Sequence, residues 1–294
     1  MSRLGFGWMG SKNKIAQELI AQLPAGEVFV DLFAGGCAMT HAAMLSGKYK
    51  RFIANDIKGT AVFFKQAIEG KVDNLYEWVS REEFFARRDH DVKVAAAWSF
   101  GNNGRQYLWG YDTMDAKLAA FKMLTLSTVE ERYAAYKEFI AELEKLQSTK
   151  PLVQLESLQR LQSLQALNGV KGVQDVCDLA LLSVYDVDYR KVPIPEGAVV
   201  YCDPPYLATY AAGKDYRGIN FNHAEFYKWW NEQPFPVFVS EYTAPTVFTE
   251  VWSTNKRCIM KSCAYDKQTT ERLYVQQRFA DTSTEGENLV KEGE

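Results

Sequence analysis

A short apolar run, Val28-Phe29-Val30, ends on Asp31, crosses Ala34-Gly35-Gly36 and enters an alanine- and methionine-rich helical stretch, Ala38 to Leu45. Together with a second stretch at Val199 to Tyr206, this joint constrains the fold more than any other part of the chain. A strand that turns on glycines into a helix N-terminus offers backbone N–H groups and a positive dipole end to a polar ligand. Glycine suits such a turn because its missing side chain lets the backbone approach a ligand closely. The same glycines also fit an ordinary strand–turn–helix joint. The second stretch tips the balance. Val199-Val200-Tyr201-Cys202 reads as another buried strand, and it stops on Asp203-Pro204-Pro205-Tyr206. Two prolines cannot continue a hydrogen-bonded ladder, so an acid and an aromatic are left at the strand's carboxyl end. In an open α/β sheet, ligands bind there.

The rest of the chain follows an interrupted α/β pattern. Ile15-Ala16, Leu19-Ile20 and Leu23 have helical spacing, and Pro24 and Gly26 end that helix. A second strand, Arg51 to Ala54, ends at Asn55-Asp56, and a helix from Thr60 to Glu69 closes the unit. Asp56 lies about twenty residues beyond Gly36, where a Rossmann-like half-fold places its ribose-binding carboxylate. From Asp73 to Asn168 the alternation stops and the chain reads as mainly helical. Within it, Trp98 to Gly110 mixes glycine turns, Asn102, Asn103, Arg105, Gln106 and aromatics such as Tyr107. Amides and arginine bond base edges and phosphates, and aromatics stack on unpaired bases. A turn-rich connector with buried aromatics has the same composition. Leucines at 152, 155, 158, 161, 164 and 167 recur at a period of three, which walks around an α-helix instead of keeping one face. The composition still predicts helix, with a 3₁₀-like stretch as the rival, and no chemistry.

The α/β pattern resumes near Val176. A strand is expected from Leu182 to Tyr189, then the strand that stops at Asp203, then a long loop from Leu207 to Phe221. A helix from His223 to Glu232 is capped by Asn222. A strand from Val237 to Ser240, a helix near Ala244 to Trp252, and strands at 259–264 and 272–276 complete the expectation. The domains are therefore 1–72 with 176–280, an insertion at 73–175, and an acidic tail at 281–294 expected to be disordered.

With 294 residues, 47% of them hydrophobic, the chain can bury a full core. No run of eighteen apolar residues and no signal-peptide core occurs, so no membrane association is expected and the chain should be soluble and intracellular. Five scattered cysteines form no C-x-x-C pair, and three histidines stand apart, so neither a disulfide framework nor a metal site is expected. Net charge is −3, unfavourable for a nucleic-acid binder, but the tail from Asp281 carries −4 and the body is near +1. Basic clusters stand at Lys48-Tyr49-Lys50-Arg51, Arg87-Arg88, Arg105 and Arg190-Lys191, each of which also reads as a solvated face.

Asp-Pro-Pro-Tyr after a hydrophobic strand, downstream of a D-x-F-x-G-G loop, resembles the S-adenosylmethionine-dependent amino-methyltransferases that act on DNA. Trp8-Met9-Gly10-Ser11-Lys12 ahead of the glycine loop resembles the Dam-type (D12 class) adenine methyltransferases of bacteria and their phages. Three further strands, at 52–56, 237–242 and 270–275, fit the same family, whereas Cys37 stands where its loop often carries another glycine. The resemblance implies a Rossmann-like methyltransferase sheet with a mainly helical target-recognition insertion, acting on double-stranded DNA in the bacterial cytoplasm, in restriction–modification or phage DNA protection. It implies cofactor contacts from Trp8, Lys12, Asp31, Phe33, Gly35 and Asp203 beside Asp56, and DNA contacts from Asn102, Asn103, Arg105 and Tyr107.

The chemistry would run as follows. The exocyclic amine of adenine is a poor nucleophile because its lone pair is delocalised into the ring. Asp203 can accept one of its N–H groups and the Pro204 carbonyl the other, which favours the pyramidal nitrogen of the transition state. Preorganised acceptors of this kind contribute roughly 3–4 kcal/mol each. Tyr206 would stack on the flipped base, since the amine is unreachable inside a duplex. No covalent intermediate is needed. Cytosine N4 could use the same acceptors, and a non-catalytic module that binds cofactor or DNA is the third reading.

Overall fold

Strands β1 (Val28–Asp31) and β4 (Val199–Cys202) run parallel and adjacent, with Val30 beside Val200 and Asp31 beside Tyr201. Both are buried along their whole length, which is why they read as unbroken apolar runs instead of alternating ones. The computed structural model describes residues 4–72, 77–146, 179–207, 221–257 and 268–280. Around the central pair it adds parallel β2 (Arg51–Asn55), β3 (Leu182–Tyr185) and β5 (Val237–Glu241). Antiparallel β6 (Phe248–Arg257) and β7 (Gln268–Gln276) close one edge. The order across the seven strands is β3-β2-β1-β4-β5-β7-β6. Strand order reverses between β1 and β4, and the crevice beyond their carboxyl ends is the ligand position of such a sheet.

Alternate residues of each strand feed two cores. Phe29, Phe52, Tyr201 and Phe238 face helices α1 (Ala16–Gln22), α2 (Ala38–Leu45) and α3 (Thr60–Ile68). Val28, Val30, Val200, Val237 and Val239 pack with Phe226 and Trp230, which lie on the helix His223–Glu232. The ammonium of Lys48 closes α1 by donating to the carbonyls of Ile20, Ala21 and Leu23 at 2.9, 3.0 and 2.6 Å, at the end of the helix where carbonyls lack their intrahelical donors.

Between β2 and β3 the described chain forms α4 (Arg81–Arg87), α5 (Val92–Ala97), α6 (Met114–Thr125) and α7 (Val129–Lys145), so the helix His223–Glu232 is α8. Ser80 with Glu83, and Thr128 with Glu131, form reciprocal caps that start α4 and α7. These helices carry their own core around Phe84, Trp98, Tyr107, Trp109, Phe121 and Phe139. Ala95 and Ala96 of α5 belong instead to the core on the α1–α3 side of the sheet, so α5 joins the two parts.

Two expectations are corrected here. The stretch 244–252 is not a helix: β6 begins at Phe248 and pairs with β7, with a register shift between Glu250 and Trp252. Strand β3 ends at Tyr185, and Tyr189–Lys191 is a 3₁₀ turn capped by Asp188. The helix expected from His223 is present, with the Asn222 side chain accepting from the Glu225 N–H at 3.2 Å. The leucine repeat at 152–167, the 208–220 part of the loop, the strand expected at 259–264, Cys177, Cys258, Cys263, the division at 175/176 and the tail lie outside the described residues.

Candidate active site

The segment from Leu4 to Lys12 lies over the glycine turn. The Phe6 N–H donates to the Gly36 carbonyl at 2.8 Å, and the Gly5 N–H donates to Nδ1 of His41 at 2.9 Å. Burial pushes the His41 imidazole down to about 4, so it remains a neutral acceptor. Contact is close enough that side chains are excluded: a Cβ on Gly36 would stand 2.4 Å from the Phe6 carbonyl oxygen. Past Gly36 the chain turns through Cys37, a non-glycine residue at φ +58°, into α2. The Gly35 N–H donates to Oδ2 of Asp56 at 3.0 Å, and Oδ1 accepts from the Lys58 N–H at 2.9 Å, which ties the ends of β1 and β2 together.

These elements enclose one cleft at the reversal point. Trp8, Lys12, Asp31, Phe33, Gly35, Asp56 and Asp203 all line it, and Tyr189, Arg190, Phe221 and Glu225 form another wall. Asp31 is 1% exposed; its Oδ2 accepts from the Thr40 hydroxyl at 2.8 Å, while Oδ1 has no hydrogen-bond partner among the described residues. Burial pushes its carboxyl up to about 7, with Asp203 and Asp56 adding to the effect. A buried acceptor left open in a cleft is a site for a donor, preferably a cationic one.

Lys12 is buried, and its ammonium bonds both oxygens of Asp203, at 2.7 and 2.8 Å. Burial raises the Asp203 carboxyl above its ordinary range, and Lys12 opposes that rise. The rest of the turn is anchored as firmly. The Pro205 carbonyl accepts from Nε2 of His223 at 2.7 Å, and that bond assigns the ring proton. The Tyr206 hydroxyl donates to Oε2 of Glu271 at 2.7 Å, and the Leu207 N–H donates to Oε1 of Glu241 at 2.7 Å. The Tyr206 ring stands edge-on to Tyr242, 4.6 Å between centroids, with the Lys12 ammonium 4.8 Å from its centre. Pro204 and Tyr206 are themselves buried and are not part of the cleft wall.

Residues 8–95 match the family model of D12 class N6 adenine-specific DNA methyltransferases. Over those residues the chain is similar to that family. The matched segment carries the Trp8–Lys12 element, the glycine turn, Asp56, α4 and the first part of α5. Among curated proteins none matches. A seven-stranded mixed sheet of this order fits the Rossmann-like methyltransferase fold, and the family assigns the enzyme to N6 of adenine in DNA. The family match selects adenine over the cytosine N4 amine.

In this adenine methyltransferase the four insertion residues expected at DNA differ in their surroundings. Ser99 pairs with Tyr107, and the Phe100 N–H donates to the Gln106 carbonyl at 2.8 Å, so the segment is a narrow hairpin-like loop. Asn102, at φ +54° near its tip, accepts from the Met9 N–H through its carbonyl at 3.2 Å, which brings the loop against the N-terminal element. The Asn103 side chain accepts from the N–H groups of Arg105 and Gln106 and holds the turn itself. Arg105 is partly exposed. Tyr107 is a correction: it is 5% exposed, packs against Phe84, Trp98 and Trp109, and donates its hydroxyl to the Val79 carbonyl at 2.7 Å. It offers no face to a base.

Glu241, Glu271 and His223 were not expected at the site. The available signal, for Glu241 alone, was an acid at the end of an otherwise apolar strand. Among the described residues no cluster of three His, Cys, Asp or Glu side chains could hold a metal, and no helix is long and apolar enough to cross a membrane.

Proposed function

We propose that the cleft at the β1–β4 reversal holds S-adenosylmethionine and that Asp203, Pro204 and Tyr206 act on an adenine flipped from double-stranded DNA. When bound, S-adenosylmethionine supplies the electrophilic methyl group. The residues present fit it: the open Oδ1 of Asp31 suits its ammonium, and Asp56 in the same cleft wall suits ribose hydroxyls. Trp8 and Phe33 supply aromatic walls to the same cleft, and Lys12 lies beside it.

The observation that carries the catalytic reading is the Asp203 carboxylate at the carboxyl end of β4, in the cleft wall and paired with Lys12. Each carboxylate oxygen has two lone pairs, so Asp203 can accept an amine N–H while keeping Lys12. Lys12 favours the ionised form against burial, and the ionised form is the one that accepts. The Pro204 carbonyl is the second acceptor and Tyr206 the stacking ring. Arg105, Asn102 and Asn103 lie on the loop nearest the N-terminal element and fit contacts to DNA around the flipped base. A DNA substrate suits the bacterial cytoplasm as the place of action.

The test is incubation of purified protein with unmethylated amplified DNA and radiolabelled cofactor, followed by mass spectrometry of the nucleosides. N6-methyladenine is expected; 4-methylcytosine, or no transfer at all, contradicts the reading.

A further inference from the structure

We propose that Glu271, on the closing strand of the sheet, is a positioning residue for methyl transfer, fixing the ring of Tyr206 against which the target adenine stacks. The inference rests on the stacking role given to Tyr206 above. Strand β7 runs antiparallel to β5, with Glu241 beside Arg272. Glu271, one residue earlier in β7, therefore stands just beyond the carboxyl end of β5, on the same side of the sheet as the cleft. There it meets the chain as it leaves β4: Tyr206 donates to Oε2 at 2.7 Å, and the two side chains are 9% and 4% exposed.

A tyrosine ring at the end of a single-bonded stem rotates about χ1 and χ2 unless something holds its tip. Tyr242 packs against the edge of the Tyr206 ring, and the Lys12 ammonium lies 4.8 Å from its centre. The hydroxyl bond to Oε2 of Glu271 fixes the far end of the ring. Burial keeps the Tyr206 phenol protonated by raising it well above its ordinary value, so the tyrosine stays the donor. The neighbouring Arg272 is engaged elsewhere, donating to the Tyr242 carbonyl at 2.6 Å and pairing with Glu250 at 3.0 Å. That arrangement holds Tyr242 in place too.

A merely stabilising role for Glu271 is disfavoured by its charge. It lies near enough to Asp203 to raise that carboxyl, which works against the ionised form needed there. An uncharged acceptor would avoid this cost, so the position of the acceptor, not its charge, is what the site uses. Glutamine should therefore substitute well and alanine poorly.

Single-turnover methylation of unmethylated amplified DNA would be compared for wild type, Glu271→Ala, Glu271→Gln, Tyr206→Phe, Tyr206→Ala and the Glu271→Ala/Tyr206→Phe pair. Cofactor affinity would be read separately by calorimetry without DNA. We expect Glu271→Ala and Tyr206→Phe each to lower the rate at saturating DNA by about 10- to 100-fold, the scale of a small misplacement. Cofactor affinity should not move, Glu271→Gln should restore most of the rate, and the pair should be no slower than either single variant, because both remove one bond. Losses that multiply in the pair, or a glutamine variant as slow as alanine, overturn the proposal. Should Glu271→Ala not fold, Tyr206→Phe decides: a wild-type rate shows that the bond positions nothing. A wild-type rate for Tyr206→Ala would instead overturn the stacking role itself.

Discussion

The ammonium of Lys12 bonds both carboxylate oxygens of Asp203, at 2.7 and 2.8 Å, across 191 residues of chain. The pair joins the N-terminal element, which the family model covers, to the Asp-Pro-Pro-Tyr turn, which lies outside it. It also opposes burial, the force that would neutralise Asp203. Lys12→Met should therefore raise the Asp203 carboxyl further, and with it the acid limb of the pH–rate profile. An opposite charge at contact commonly shifts a carboxyl by about 1–3 units, so the limb should move to higher pH by that order. Lys12→Arg should leave it near the wild-type position. Single-turnover rates across neutral pH read both; an unmoved limb in Lys12→Met would show that Asp203 does not titrate in the reaction.

Asp31 gives a prediction about binding. Its carboxyl is raised to about 7 by burial in the free protein, while a bound ammonium would favour the ionised form and lower it. Binding at Asp31 then releases a proton below about 7, and cofactor affinity falls as pH drops through that value, by up to about tenfold per unit. Calorimetry in buffers of different ionisation enthalpy detects the proton directly. Asp31→Asn should bind more weakly and show a flat profile. Wild-type affinity that does not change with pH removes Asp31 from the ammonium site.

The same raised carboxyl affects folding. Glu241 is also raised to about 7, chiefly by burial, against two backbone N–H bonds that lower it. A carboxyl whose folded value exceeds its unfolded one binds more protons in the native state, so stability declines as pH rises from the ordinary carboxylate range to about 7. Denaturant midpoints of the cofactor-free protein should fall over that window. Asp31→Asn should flatten the part that Asp31 contributes.

Two residues of the insertion should separate in kind. Tyr107 is inside the aromatic core, and removing a buried aromatic costs about 3–5 kcal/mol, so Tyr107→Ala should destabilise the α4–α7 region. Arg105→Ala should leave thermal stability near wild type and weaken DNA binding, with the salt dependence reduced by about one charge. Filter binding at several salt concentrations, with thermal melts alongside, measures both. An unchanged salt slope in Arg105→Ala would remove Arg105 from the DNA contacts.

The central strands were legible because they are buried on both faces: Val28–Val30 and Val199–Cys202 need no alternation to be recognised, and the prolines after Asp203 mark the end of one of them. Asn222 was legible as a cap because its side chain acts locally. The stretch 244–252 was not. Its register in β6 shifts between Glu250 and Trp252, and Thr249, Val251 and Trp252 are all partly buried, so the period-two signal is lost at the bulge. Tyr107 was misread because an aromatic in a polar loop has the same sequence whether its ring faces a base or a core. Its spacing from Trp109, two residues on, was the hint that both face inward. The roles of Glu241 and Glu271 depend on which strands lie beside β4, and no spacing along the chain encodes that.

Asp203 carries the last prediction, because it separates catalysis from binding. Asp203→Ala removes an acceptor that matters most as the adenine nitrogen becomes pyramidal, and losing one preorganised partner costs about 10²–10³ in rate. The same change leaves the Lys12 ammonium buried without its closest carboxylate, so some loss of stability and of cofactor affinity should accompany it. Asp203→Asn keeps the shape and one carbonyl acceptor but not the charge, and should retain more activity than alanine while still falling below wild type. DNA binding, assigned to the insertion in the proposal above, should persist in both. The decisive measurement is single-turnover transfer at saturating DNA and cofactor, where weakened binding no longer limits the rate. If Asp203→Ala then transfers methyl groups at nearly the wild-type rate, Asp203 is a structural partner of Lys12 and the acceptor for the amine must be sought elsewhere in the cleft.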